Sequence, residues 1–255
     1  MKPIWTLTLM LAAAPVAAQQ APAPARPAAT PVPATIAKAL ADPARADQQG
    51  DDERRQAAAV IAFSGVKPGD TVIDYLPGSG YWSRIFSGVV GPKGKVIAAW
   101  PARAGTSDRG KAGVQALADR KLPNVTAQIQ PGDLPSSPVP ADLFWTVQNY
   151  HDIPNRGAGE PALRAFDAAV FNLLKKGGTY VVIDHADAAG KGMANTETTH
   201  RIDPAAVRRQ VEAAGFRFVG ESRVLHNPED DHSKNVFDPA IRGRTDQFVY
   251  KFRKP

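Results

Sequence analysis

The stretch TVIDYLPGSGYW, Thr71–Trp82, decides the fold. Thr71 to Tyr75 form a short, largely apolar run of the kind buried on both faces of a parallel sheet. The run passes directly into a turn carrying Gly78 and Gly80. Glycines there let the backbone approach a ligand closely, with no Cβ in the way. In an open α/β sheet the turn after the first strand lies beside the point where strand order reverses, and ligands bind at that point. The spacing argues against two nucleotide sites. A dinucleotide turn needs a third glycine where Ser83 stands, and a P-loop needs a Lys-Ser or Lys-Thr pair that does not follow.

Outward from this turn, strands and helices alternate. Trp82, Ile85, Phe86, Val89 and Val90 recur at helical spacing until Gly91-Pro92 stops them. Upstream, residues 52–63 read as a helix with an acidic start and Gly65 past its end. Downstream, strands are expected at 95–99, 125–130, 142–148, 179–183, 216–225 and 246–252. Helices are expected at 107–119, at 161–175 and from the Asp203 cap to Ala214. The last two strands are joined by a polar loop, 226–244, with no convincing helix, so they pair antiparallel. The expected fold is α/β: a Rossmann-like, doubly wound, mostly parallel seven-stranded sheet with a C-terminal antiparallel strand pair.

The first 34 residues read differently. Met1-Lys2, an apolar run from Ile4 to Ala14 and small residues at 16–18 have the layout of a secretory signal peptide, 1–18. Residues 19–34 alternate Ala and Pro and read as a disordered linker before a single domain, 35–255. The expected location is therefore periplasmic or secreted, with no stable membrane insertion after signal cleavage. The chain has no cysteine, which excludes thiol catalysis and thiolate metal sites. Its 31 basic and 25 acidic residues are interspersed, without the clustered bases and aromatics that nucleic-acid binding requires, so no nucleic-acid partner is expected.

An acid followed by a glycine turn, with this strand order, resembles the class I S-adenosylmethionine-dependent methyltransferases. FSGVKPGDTVIDYLPGSGYWSRIF, NYHDI, HRIDPAAVRRQVEAAGF and NPEDDHSKNVFDPAIRGRTDQFVYKFRKP are similar to a family of exported bacterial predicted methyltransferases. The likeness covers roughly residues 40–255. It implies an enzyme with S-adenosylmethionine as cofactor and a small-molecule methyl acceptor. It also implies cofactor-binding roles residue by residue. Asp74 would lie near the methionine end, and Pro77, Gly78, Ser79 and Gly80 would form the turn beneath ribose and amino acid. Asp133 would face the adenine amino group, and Asn149 and Tyr150 would lie beside the sulfonium. The sequence departs from the family pattern twice. Leu76 replaces the first glycine, and Trp100-Pro101 stands where the second strand normally ends in a ribose-binding acid. Trp100 is a candidate to stack on adenine instead. The missing acid raises one alternative, a catalytically inactive methyltransferase-fold binding protein of the periplasm.

Methyl transfer requires alignment and, for a hydroxyl acceptor, loss of a proton. His151 and Asp152 follow the fourth strand on the active-site edge, and His185 ends the fifth; these three are the catalytic candidates. His200 and Arg201 occupy the following loop, so three of the five histidines lie in segments expected to converge. Asp152, Asp184 and His185 have the types that hold a cation, but their spacing defines no site and no metal is assigned. Arg242 and Arg244 in the long loop are candidates to meet an anionic ligand.

Overall fold

The structure, a computed structural model, describes Met1 and residues 32–255. The expected signal peptide and most of the Ala/Pro-rich linker lie outside the described residues. Seven strands form one sheet: β1 (Thr71–Tyr75), β2 (Lys95–Trp100), β3 (Val125–Ile129), β4 (Ala141–Val147), β5 (Leu174–His185), β6 (Arg217–Ser222) and β7 (Gln247–Arg253). Their order is β3-β2-β1-β4-β5-β7-β6. The first five run parallel, and β7 is antiparallel to both β5 and β6. Strand order reverses between β1 and β4, which pair in register as Ile73–Phe144 and Tyr75–Thr146. The C-terminal ends of these two strands therefore flank the ligand position of an open α/β sheet.

Period-two alternation sorts the core onto two faces. Ile73, Tyr75, Phe144, Tyr180 and Val182 pack against α6 (Gly159–Leu173) and α7 (Pro204–Ala213). Val72, Leu143, Trp145 and Val181 pack on the other face against α1 (Ala34–Leu40), α2 (Ala57–Ser64) and α3 (Tyr81–Val90). Two further helices, α4 (Ala102–Gly105) and α5 (Asp108–Ala118), cover the ends of β2 and β3. Among the described residues, no helix is long and apolar enough to cross a membrane.

The fold differs from the sequence reading mainly before β1. At the boundary expected between linker and domain, Ala34 begins α1, which buries Ile36 and Ala39. The helix expected at 52–63 starts only at Ala57, after Gln56 with φ +47°. The cause is Asp52, whose carboxylate pairs with Arg45 at 2.7 Å and accepts from the Tyr81 hydroxyl at 2.5 Å instead of opening a helix. Asp47 binds Arg84 at 2.9 Å and Arg120 at 2.5 Å. Residues 42–52 are thus an arm strapped to α3. Two other limits shift. The helix expected to reach residue 175 ends at Leu173, and β5 begins at Leu174, five residues early, because Leu174 pairs with Ala141 before the register shift.

Arg45 is 2% exposed. Removing one partner of a buried ion pair leaves an uncompensated charge. Arg45→Ala is expected to lower stability by about 3 kcal/mol in urea unfolding. Loss of the more exposed Lys175–Asp142 pair by Lys175→Ala is expected to change it by under about 1 kcal/mol.

Candidate functional site

The turn after β1 is built from positive-φ corners at Leu76 (+55°), Gly78 (+59°) and Gly80 (+77°). A leucine tolerates this region at a cost of about 1–2 kcal/mol. The cost at Leu76 is offset by packing, since its side chain lies against both the α6-side core and the Trp100 cluster. Below the turn, Asp74 is fully buried and accepts from the Ser83 hydroxyl at 2.6 Å, tying the strand end to the first turn of α3. Burial pushes its carboxyl up to about 7. Above the turn, Gly78 and Ser79 are exposed, and a Cβ on Gly78 would meet nothing within 4 Å. Their N–H groups have no acceptor among the described residues. Outward-facing, unpaired N–H groups in a positive-φ turn make a concavity suited to a ligand's acceptor atoms. The far side is closed, because a Cβ on Gly80 would come within 2.8 Å of Leu117, and one on Gly113 within 2.5 Å of the Gly78 carbonyl.

The loop after β3 docks on the end of β2. The Asp133 carboxylate accepts from the Arg103 N–H at 2.8 Å, near the start of α4, and its carbonyl accepts from the Tyr75 hydroxyl at 2.7 Å. Nearby Gln130 is buried, and its Nε2 has no partner. Trp100 is 2% exposed and belongs to a cluster with Ala98 and Leu117. It packs under α5 rather than standing open at the rim.

After β4, Asn149 directs Nδ2 at the Tyr75 and Leu76 carbonyls, 3.4 and 3.5 Å away, joining the two strand ends at the switch point. Tyr150 turns into the core, its hydroxyl 2.7 Å from Asp167, and does not face the turn. His151 is held from behind. Asp184, at the end of β5, accepts from the His151 backbone N–H at 2.8 Å and lies 2.7 Å from Nδ1. Burial alone would favour a neutral His151; the Asp184 carboxylate overrides it and raises the imidazole above its ordinary value. Burial likewise opposes the ionised Asp184, but His151 holds it below the usual range.

His151 Nε2 is left to face Asp152 and His200. The structure brings together His151, Asp152 and His200; the sequence places His200 in a segment expected to converge here but does not name it as a catalytic candidate. Its position depends on φ +57° and on contacts from residues 235–237 that no local pattern reveals. His185 stands beside this group, its ring centroid 5.9 Å from that of His151. Its Nδ1 meets the Thr245 hydroxyl at 2.8 Å, and burial depresses its pKa to about 4. Arg201 forms a buried pair with Asp230 at 2.9 Å. Arg242 and Arg244 are exposed, and Arg244 donates to the Ala240 carbonyl.

The Asp74 shift has a measurable consequence. Between about pH 4 and 7 the folded carboxyl keeps a proton that the unfolded one has released, so stability falls as pH rises through that window. Asp74→Asn is expected to flatten the profile of unfolding midpoint against pH. The difference from the parent protein should grow toward pH 7.5, with an upper limit of about 4 kcal/mol.

No family model matches the chain. The chain is 26% identical over 185 residues to the ubiquinone/menaquinone biosynthesis C-methyltransferase UbiE of Ectopseudomonas mendocina (strain ymp), covering 71% of this chain and 68% of that protein. It is 25% identical over 183 residues to the UbiE protein of Photorhabdus laumondii subsp. laumondii, covering 71% and 69%. Among solved structures it is similar to a SAM-dependent methyltransferase from Aquifex aeolicus, with a TM-score of 0.56 and 18% identity over 86% of this chain and 98% of that one. It is also similar to a putative sarcosine dimethylglycine methyltransferase from Galdieria sulphuraria, with a TM-score of 0.57 and 13% identity over 82% and 87%. The seven-stranded mixed sheet, with β7 inserted antiparallel between β5 and β6, is the class I S-adenosylmethionine-dependent methyltransferase fold.

Proposed function

We propose that this protein is an S-adenosylmethionine-dependent methyltransferase acting on a small molecule with an ionisable hydroxyl. The observation that carries the reading is the juxtaposition at the switch point. The open Gly78-Ser79 turn ends β1, and the Asn149–Asp152 segment follows β4 directly beside it. The cofactor supplies a methyl group on a sulfonium. The chain's own residues supply the rest. Gly78 and Ser79 offer unpaired N–H groups to the cofactor's amino-acid and ribose portion, with Pro77 and Gly80 shaping the turn. Asp74 acts from below by fixing the turn through Ser83. The Asp133 loop and the unpaired Gln130 Nε2 border the adenine position, and the buried Trp100 replaces the ribose acid as a wall. On the acceptor side, His151 and Asp152 present polar atoms where a hydroxyl would sit, with Asp184 locking the imidazole.

The relatives named above are C-methyltransferases of ubiquinone and menaquinone biosynthesis. Methylation at a ring carbon and at an oxygen both draw on an acceptor oxyanion, so either regiochemistry suits this edge. We further propose an exported, periplasmic or secreted protein, on the strength of the apolar run and small residues in the first 18 positions.

Calorimetric titration of the full chain with S-adenosylmethionine tests the cofactor site. Micromolar binding is expected. Gly78→Val is expected to weaken it by at least about tenfold, since the new side chain fills the open cradle and strains φ +59°. Absence of binding at millimolar ligand, with the parent protein folded, would sink the methyltransferase reading.

A further inference from the structure

Three donor atoms converge at the acceptor edge. His151 Nε2 lies 3.3 Å from His200 Nδ1 and 3.4 Å from Asp152 Oδ1, and His200 Nδ1 lies 3.6 Å from the same Asp152 oxygen. These separations are long for hydrogen bonds, which run about 2.7–3.2 Å. They match a different geometry. Two ligands of one tetrahedral zinc, each at about 2.0–2.1 Å from the metal, stand about 3.3–3.4 Å apart, whereas octahedral neighbours at about 2.1 Å stand closer, near 3.0 Å. The three atoms thus approximate one face of a tetrahedron.

The surroundings match as well. A metal-ligating histidine usually gives its other ring nitrogen to a carboxylate, which fixes tautomer and ring orientation. Asp184 does this for His151 at 2.7 Å. The Asp152 carboxylate is steadied by Asn155 Nδ2 at 3.0 Å. The His200 ring lies edge-on to Phe237, with centroids 5.0 Å apart, and the Asn235 side chain binds the Thr198 carbonyl beside it. Two carboxylates, Asp152 bound and Asp184 behind, balance a doubly positive ion.

We propose that His151, Asp152 and His200 bind a tetrahedrally coordinated divalent cation of the zinc class, with the fourth position open. Three protein ligands and one free position distinguish catalytic zinc sites from closed structural ones. For the role of the cation, the inference rests on the methyl-transfer reading. An acceptor hydroxyl entering the fourth position would bind as its oxyanion, the proton passing to solvent. Cation binding itself does not depend on that reading.

The test is a titration of the full chain with Co²⁺, followed by its visible absorption, then displacement with Zn²⁺. One equivalent per chain is expected, with the intense bands of four-coordinate cobalt. His200→Ala and Asp152→Asn should each weaken binding by about ten- to a hundredfold while leaving the urea midpoint near that of the parent. His226→Ala removes a histidine paired with Asp246 elsewhere in the long loop and should leave binding unchanged. Substoichiometric binding, the weak bands of six-coordinate cobalt, or equal binding in His200→Ala would each overturn the proposal. Cation binding without S-adenosylmethionine binding would instead sink only the methyltransferase reading, and the reverse result would sink only this one.

Discussion

The His151 edge of this protein depends on one buried carboxylate. Asp184, one residue before the end of β5, has no exposure and accepts from the backbone N–H of His151, from that of His185, and at the His151 ring. A carboxylate so enclosed is tolerated only when its oxygens are satisfied by donors and opposite charge. In meeting that requirement, Asp184 joins the segment after β4 to the end of β5 and sets the outward direction of His151 Nε2. Gln148 and Gln247 add a side-chain bond of 3.0 Å across the same edge, so β4 and β7 also meet there. The polar groups at this edge are positioned by short side-chain ties, two of them from the Asp184 carboxylate to backbone N–H groups.

Two segments outside the alternating pattern complete the edge. The arm at 42–52 is strapped to α3 through Asp47 and Asp52, and Gln48 approaches Ser79 at 3.5 Å. The long loop 226–244 is anchored by the Arg201–Asp230 pair and by Asp246, which meets His226 at 2.9 Å and His232 at 3.0 Å. Both segments are polar, and both gain their shape from ion pairs with partners distant in sequence.

That division explains what the sequence disclosed. The sheet, its order and its antiparallel end follow from local signals: short apolar runs, helical stripes in α3 and α6, and the Asp203-Pro204 start of α7. The glycine turn was legible because positive φ demands particular residues, although Leu76 shows that packing can hold the exception. The site was only partly legible. His151 and Asp152 could be placed by following β4, but His200 converges on them through a loop whose path is fixed by residues more than thirty positions away. Tyr150 and His185 show how burial redirects polar groups. Tyr150 turns inward to Asp167, and His185 bonds Thr245 while its ring stays 5.9 Å from that of His151, because a buried hydroxyl or imidazole takes the nearest partner. The arm before β1 was missed for the same reason: Asp52 looks like a helix cap until Arg45 and Tyr81 are seen beside it.

The place of β7 in the sheet imposes an order of assembly. β6 is synthesised before β7 yet pairs with nothing else in the sheet, while β7 alone bridges it to β5. The earlier strand must therefore wait, edge unpaired, until the later one has been made and inserted. The 226–244 segment is drawn across the His200 loop by that same insertion, since it is the connection between the two strands. The His200 loop therefore gains the contacts of residues 234–237 only once β7 is in place, whereas the glycine turn depends on none of them.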